Sequence, residues 1–400
     1  MPRSTTSPAA ARRPVAAVAC ALVLAGATAC TDNVPAGSDT GDPRRLTVQA
    51  TDDACTVSAP TGPSGRLSFT VTNNGSKVTE FYLLGEDGLR IAGEVENIGP
   101  GLSRELVLNA RPGKYFTACK PGMVGDGIRS PFVVSDSGEQ QVSADDQAML
   151  DQANTQYQLY VKDQVEQLLA QTTEFAELYK AGKDDQARAL YPKARMHWER
   201  VETVAESFGD LDPKMDAREA DVEEGEEWTG WHRMEKDLWP QRATEPGAPA
   251  YTALTPEERA KYADDLVANT QTLYDRSRDL TFTADQIGNG AKGLLDEVAT
   301  GKVTGEEEYW SRTDLWDFQG NVEGAKVMWQ GLSPLLQTRN PELDQQLAEN
   351  FDSLQKLLDT HRAGDGFKTY DQLTEDEVKQ LSDAVNAMSE PLSQLTAAVV

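Results

Sequence analysis

The chain has 400 residues, with 65 acidic and 38 basic side chains and a formal net charge of −27. Such a surface repels phosphate backbones and anionic lipid heads, which excludes nucleic acid as a partner and suits a protein that attracts cations. With only His197, His232 and His361, it is not a histidine-rich metal sponge.

The N-terminus reads as an export signal. Arg3, Arg12 and Arg13 precede an uncharged, small and apolar run from Val15 to Ala29, which closes on Ala27-Thr28-Ala29-Cys30. The run is too short to span a membrane stably and ends in residues a peptidase accepts. Cys30 at the cut predicts a lipoprotein whose thiol takes a diacylglycerol; the alternative is a plain secretory leader cut nearby. Removing residues 1–29 leaves 35 basic against 65 acidic side chains, a net charge of −30. No later apolar stretch is long enough to cross a bilayer. The mature chain is therefore expected outside the cytoplasmic membrane, held to its outer, periplasmic face by the lipid anchor.

Residues 30–45, rich in Asp, Gly, Pro, Ser and Thr, predict a flexible tether. Residues 46–140 then predict a small all-β sandwich. Leu46 to Thr51 and Arg66 to Asn73 alternate apolar with polar, and Asn73-Asn74-Gly75 marks a turn. Further strands are expected at Glu80 to Leu84, Ser103 to Leu108, Gly113 to Thr117 and Pro131 to Val134.

From residue 143 to 400 the period becomes helical. Leu150, Ala153, Tyr157, Val161, Val165, Leu168, Phe175 and Tyr179 form one apolar stripe on a long helix. Thr255-Pro256-Glu257-Glu258 and Thr374-Glu375-Asp376-Glu377 read as capping boxes that start two later helices. These residues are enough for an all-α bundle with its own core.

Two helices carry the chemistry. One is expected from Arg188 to Phe208, where Glu199, Glu202 and Glu206 share a face with Arg195. Carboxylates stacked this way repel unless a cation offsets them; the alternative is a solvated acidic face neutralised by Arg195 and Arg200. The other is expected around Glu227 to Glu235, with Trp228, Trp231, His232, Glu235 and Trp239 on one side. His232 and Glu235, three apart, offer mixed nitrogen and oxygen ligation suited to iron or zinc; a buried His–Glu pair that only fixes packing reads as well.

At these residues a resemblance becomes clear. Ala194-Arg195-Met196-His197-Trp198-Glu199-Arg200-Val201-Glu202, Ser207 to Pro213, Gly230-Trp231-His232-Arg233-Met234-Glu235 and Thr313 to Phe318 strongly resemble the helical domain of EfeO-type iron-uptake proteins. Gly230, His232 and Glu235 match the Gly-x-His-x-x-Glu signature of the wider imelysin-like family. The resemblance covers the mature chain, because EfeO proteins also begin with a cupredoxin-like sandwich. It implies an extracytoplasmic iron-binding component beside an EfeU-type iron permease and an EfeB-type haem peroxidase. By the same resemblance His232 and Glu235 are metal ligands, with Glu199, Glu202 and Asp216 as further carboxylates.

The sandwich has no histidine before His197, so it builds no blue-copper centre from its own side chains. It does have Cys55 and Cys119, with Met123, Glu80, Glu94 and Glu96. The resemblance implies that such positions bind copper or ferric iron, with Cys55, Cys119 and Glu80 as the set. Two cysteines in one exported domain equally predict a disulfide. Catalytic roles rank lower. The chain lacks His-Glu-x-x-His, which argues against a zinc peptidase. A copper-assisted ferroxidase and a metal-bridged polysaccharide binder remain as alternatives to a carrier.

Overall fold

The computed structural model of the chain describes residues 42–138, 143–222, 225–242 and 251–399. The leader, the tether as far as residue 41 and the lipidation candidate Cys30 lie outside the described residues. Among the described residues no helix is long and apolar enough to cross a membrane.

Strict alternation builds the first layer pair. In β1 (Arg45–Ala50) Leu46, Val48 and Ala50 are buried and their neighbours exposed. The strand pairs in parallel with β4 (Gly65–Asn73) and antiparallel with β2 (Cys55–Val57). With β7 (Ser103–Ala110) these form a four-stranded sheet in the order β2-β1-β4-β7. The second sheet runs β3-β9-β8-β5-β6, from β3 (Thr61–Pro63), β9 (Ile128–Ser135), β8 (Gly113–Cys119), β5 (Thr79–Leu84) and β6 (Ile91–Ile98). Phe69 of one sheet meets Phe81 and Phe132 of the other, with ring centroids 5.4 and 5.6 Å apart. A β-sandwich is thus followed by a helical domain, as the sequence predicts.

Cys55 and Cys119 are joined in a disulfide between the two sheets, with Cα atoms 5.4 Å apart. This corrects the thiolate-ligand expectation, since a disulfide sulfur carries no charge to offer a metal. Closing a loop of 64 residues stabilises the fold by about 4 kcal/mol. The proposed partnership with Glu80 fails on register as well. Cys119 lies opposite Phe81 and shares its inward face, so Glu80, one residue away, points outward.

The helical domain starts at α1 (Ala144–Lys180), capped by the Ser143 hydroxyl, which accepts from the Asp146 amide. Its predicted stripe is buried throughout, against α6 (Pro256–Ser277), α2 (Asp184–Glu199) and α8 (Asp314–Arg339). Both predicted capping boxes form: Thr255 with Glu258 opens α6, and Thr374 with Glu377 opens α10 (Glu375–Ser393). Around α8 pack α7 (Ala284–Thr300) and α9 (Pro341–Asp359). Gly320 of α8 sets the approach to α2, because a Cβ there would lie 2.6 Å from the Cβ of Glu199.

The sandwich docks on the helices through bonds to main-chain carbonyls. The Ile91 amide donates to the Ser207 carbonyl at 3.0 Å, and the Asn289 amide group donates to Val107 O at 3.1 Å. A cavity of about 380 Å³ lies beside these bonds, lined in part by Glu94, Glu96, Lys292 and Glu297.

Candidate metal centre

The sequence predicts one continuous helix from Arg188 to Phe208, but the chain breaks there. α2 ends at Glu199 and a short helix, α3 (Glu202–Glu206), follows. The cause is long-range: Asn321 of α8 donates its side-chain amide to the Glu199 carbonyl at 3.0 Å. The chain then tightens, with Val201 N bonding Trp198 O and Val204 N bonding Val201 O, both at 2.8 Å. Glu199 and Glu202 flank this break, and both are buried. The solvated acidic face is therefore not what forms. Arg200 turns away to Glu323, at 2.6 Å, while Arg195 stays inside. The Glu206 side chain lies outside the described residues.

The second element is also shorter than its aromatic stripe suggests. α5 (Trp231–Leu238) begins only after Gly230, whose φ of +84° and close approach to Met215 O exclude a side chain: a Cβ would sit 2.2 Å from that oxygen. Trp228 therefore precedes the helix and donates its indole N–H to Ala217 O at 2.7 Å. Trp231 is buried against Phe175 and Tyr191. This close crossing brings Asp216, just beyond α4 (Asp212–Met215), beside His232.

His232 is 2% exposed and has its two ring nitrogens in different surroundings. Nδ1 lies 3.0 Å from Glu235 Oε2. Nε2 faces Asp216 Oδ1 at 3.4 Å and Glu307 Oε1 at 3.5 Å, and has no hydrogen-bond partner. Ligand atoms of Asp216, His232 and Glu307 all lie within 4.8 Å of one another. Glu235 is tied on its other side, where Oε1 accepts the amides of Trp310 and Ser311 at 2.9 and 2.6 Å. A carboxylate on the far nitrogen of a ligating histidine fixes its tautomer and ring orientation. In this arrangement Glu235 holds His232 and points its Nε2 at two carboxylates.

Two buried cations partly neutralise the surroundings. Arg195 pairs with Glu199 at 2.6 Å, with Glu308 at 2.5 Å and with Asp216. Lys302 reaches Glu199 at 2.5 Å and Glu202 at 2.9 Å. Burial raises the Asp216 carboxyl, but Arg195 and His232 outweigh it and hold it well below the carboxylate range. Burial is likewise outweighed at Glu307, where Lys302 and His232 hold the carboxyl at about 2. Glu235 is pushed up to about 7 by burial and by Glu308. At His232, burial and Arg195 disfavour the charge, while contacts with Asp216, Glu235 and Glu307 raise the pKa well above the ordinary value.

The structure thus brings His232, Glu235, Glu199, Glu202 and Asp216 into one buried cluster. It does not do so for the sandwich set, with Cys55 and Cys119 in the disulfide. Glu80 accepts from the Tyr82 hydroxyl on the outer face, and Glu94 and Glu96 line the interdomain cavity. Among the described residues, none of these five belongs to a group of three or more residues with ligand atoms within 4.8 Å of one another. Sequence reasoning missed Glu307, Glu308, Asp317 and Lys302. The one available signal was the run Glu306-Glu307-Glu308 abutting Tyr309-Trp310, where charge gives way to aromatic residues that bury.

The imelysin family model matches residues 153–395. The iron uptake system component EfeO of Escherichia coli O157:H7 is 35% identical over 361 residues, covering 90% of this chain and 92% of the relative. EfeO proteins of Escherichia coli K12 and Shigella flexneri match equally, at 35% over the same shares. Among solved structures, an iron-regulated protein A precursor from Parabacteroides distasonis aligns at TM-score 0.48 and 15% identity, over 66% of this chain and 97% of that one. An auracyanin from Roseiflexus castenholzii aligns at TM-score 0.20 and 17% identity, over 23% of this chain and 97% of that one. With the family model spanning more than half of the chain and these relatives spanning nine-tenths of it, the chain belongs to the imelysin family and, within it, to the EfeO proteins.

Proposed function

We propose that the chain is the extracytoplasmic iron-binding component of an iron uptake system, capturing iron in the buried well of His232, Asp216 and Glu307. The observation that carries this reading is the convergence of His232 Nε2 on two carboxylate oxygens, Asp216 Oδ1 at 3.4 Å and Glu307 Oε1 at 3.5 Å, with the other ring nitrogen fixed by Glu235. One imidazole and two carboxylates form a hard, mixed donor set that suits iron. Kinship with EfeO iron-uptake components supports the same cargo. On this reading the protein is a lipoprotein on the outer face of the cytoplasmic membrane, anchored through Cys30. It delivers iron to an EfeU-type permease, beside an EfeB-type haem peroxidase. On this reading the chemistry is binding and release.

Calorimetry with ferrous and ferric iron tests the proposal on the chain without its leader. The parent is expected to bind, and His232→Gln is expected to lose that site while keeping its helix content. Equal binding by the two proteins would refute it.

A further inference from the structure

A second cavity, of about 460 Å³, lies where β4 and β7 of the sandwich meet α1 and α7 of the helical domain. Arg66 and Asn109 are cross-strand partners there, and they point outward because their neighbours Leu67 and Leu108 are buried in the sandwich core. From α1, Leu150, Asp151 and Asn154 line the cavity at spacings that share one helical face. Leu150, Ala284, Asp285 and Val399 form its buried lining, while the side chains of Arg66 and Arg111 are exposed at its edge.

Two acceptors in this lining have no donor. Asp285 is 2% exposed, and its Oδ1 has no hydrogen-bond partner. The same holds for the side-chain oxygen of Asn154. Capping of α7 does not account for Asp285, because Gln286 Oε1 accepts the Thr283 amide at 3.0 Å. Burial raises the Asp285 carboxyl above its ordinary value, against the pull of Thr283, the Asn109 main chain and Arg111. Arg111 therefore acts on Asp285 from within the same cavity, without an ion pair forming between them.

We propose that this cavity binds a small zwitterion, an amino acid, with its ammonium on Asp285 and Asn154 and its carboxylate on Arg66 and Arg111. Simpler ligands fit half of this lining. A divalent cation favours several anionic oxygens, and here it meets one buried carboxylate with two guanidinium groups beside it. A lone anion suits the arginines but leaves the Asp285 oxygen without a donor and repels it. An ammonium brings three donors to the two waiting oxygens, and a guanidinium takes a carboxylate through paired N–H bonds. Leu150, Ala284 and Val399 offer apolar surface to the rest of the molecule. A ligand held this way touches both domains, so its binding stabilises their docking. The site shares no residue with the well of His232.

Calorimetry on the chain without its leader tests this with each of the standard amino acids, and with methylammonium and acetate as probes carrying one charge each. At least one amino acid is expected to bind, about 10-fold or more tighter than either single-charge probe. Asp285→Asn is expected to weaken that binding by about 100-fold or more, and Arg111→Gln by about 10-fold. His232→Gln is expected to bind the amino acid as the parent does, which separates this site from the iron well. Arg111 is exposed, so Arg111→Gln keeps the test decisive even where Asp285→Asn does not fold. A parent that binds no amino acid overturns the proposal, and so does parental affinity in Arg111→Gln or in folded Asp285→Asn. Equal affinity for acetate or methylammonium overturns it as well, because the site would then read a single charge.

Discussion

At the scale of single residues, the informative asymmetry is within the Gly-x-His-x-x-Glu pattern. The spacing placed His232 and Glu235 on one face and left open whether both bind metal or merely bond each other. In the structure the bond is made and one nitrogen is still left over, so the two readings are compatible. Glu235 has both oxygens committed, to His232 and to the Trp310 and Ser311 amides. Glu235→Gln is accordingly expected to weaken iron binding by about 10- to 100-fold without removing it, the effect of losing a supporting carboxylate. Titration calorimetry checks this, and loss as complete as that of His232→Gln would make Glu235 a ligand instead. Glu307, Glu308 and Lys302 were not legible because they sit in connecting segments, where no periodicity tells an inward side chain from an outward one.

At the scale of elements, strand alternation and helical stripes were read with little loss, because burial on one face imposes a period the sequence displays. Two misses have the same kind of cause. β6 carries Glu94 and Glu96 on one face where a strand would show apolar or solvated alternation, since that face turns to the interdomain cavity and not to solvent. The break between α2 and α3 is set by Asn321, which lies more than a hundred residues away in sequence. Gly230 shows how much rests on one backbone angle. Gly230→Ala is expected to cost at least about 2 kcal/mol, from strain at positive φ and collision with Met215 O. It should also separate Asp216 from His232. Urea unfolding and iron binding on the same sample check both, and a variant that keeps parental stability would contradict the close crossing.

At the scale of the whole molecule, the sandwich and the helical domain share a strongly acidic interface. Glu94 is pushed up to about 8, first by burial and then by Glu80 and Glu297. A carboxyl whose folded pKa lies above its unfolded one favours the protonated fold, so stability is fully present at low pH and falls as the pH rises. Without metal, the loss from this group is expected from about pH 5 to about pH 8. Glu94→Gln should flatten that part of the profile, measured by denaturant midpoints across the range. A profile with unchanged slope would show that Glu94 ionises freely in the fold. The composition announced the acidity of the chain but not this focus, because a count of charges carries no information about which of them meet.

Glu297 ties that interface to the well. It lines the cavity between the domains, and its carboxylate lies 3.9 Å from Lys302 Nζ. A cation entering the cavity therefore meets a group that also helps hold the ammonium in place. A cation bound there would compete with the ammonium for the same carboxylate, and any link of that kind runs both ways: the factor one occupancy imposes on the other is returned in equal measure. One glutamate of α7 thus stands in both the interdomain cavity and the charge network of the well.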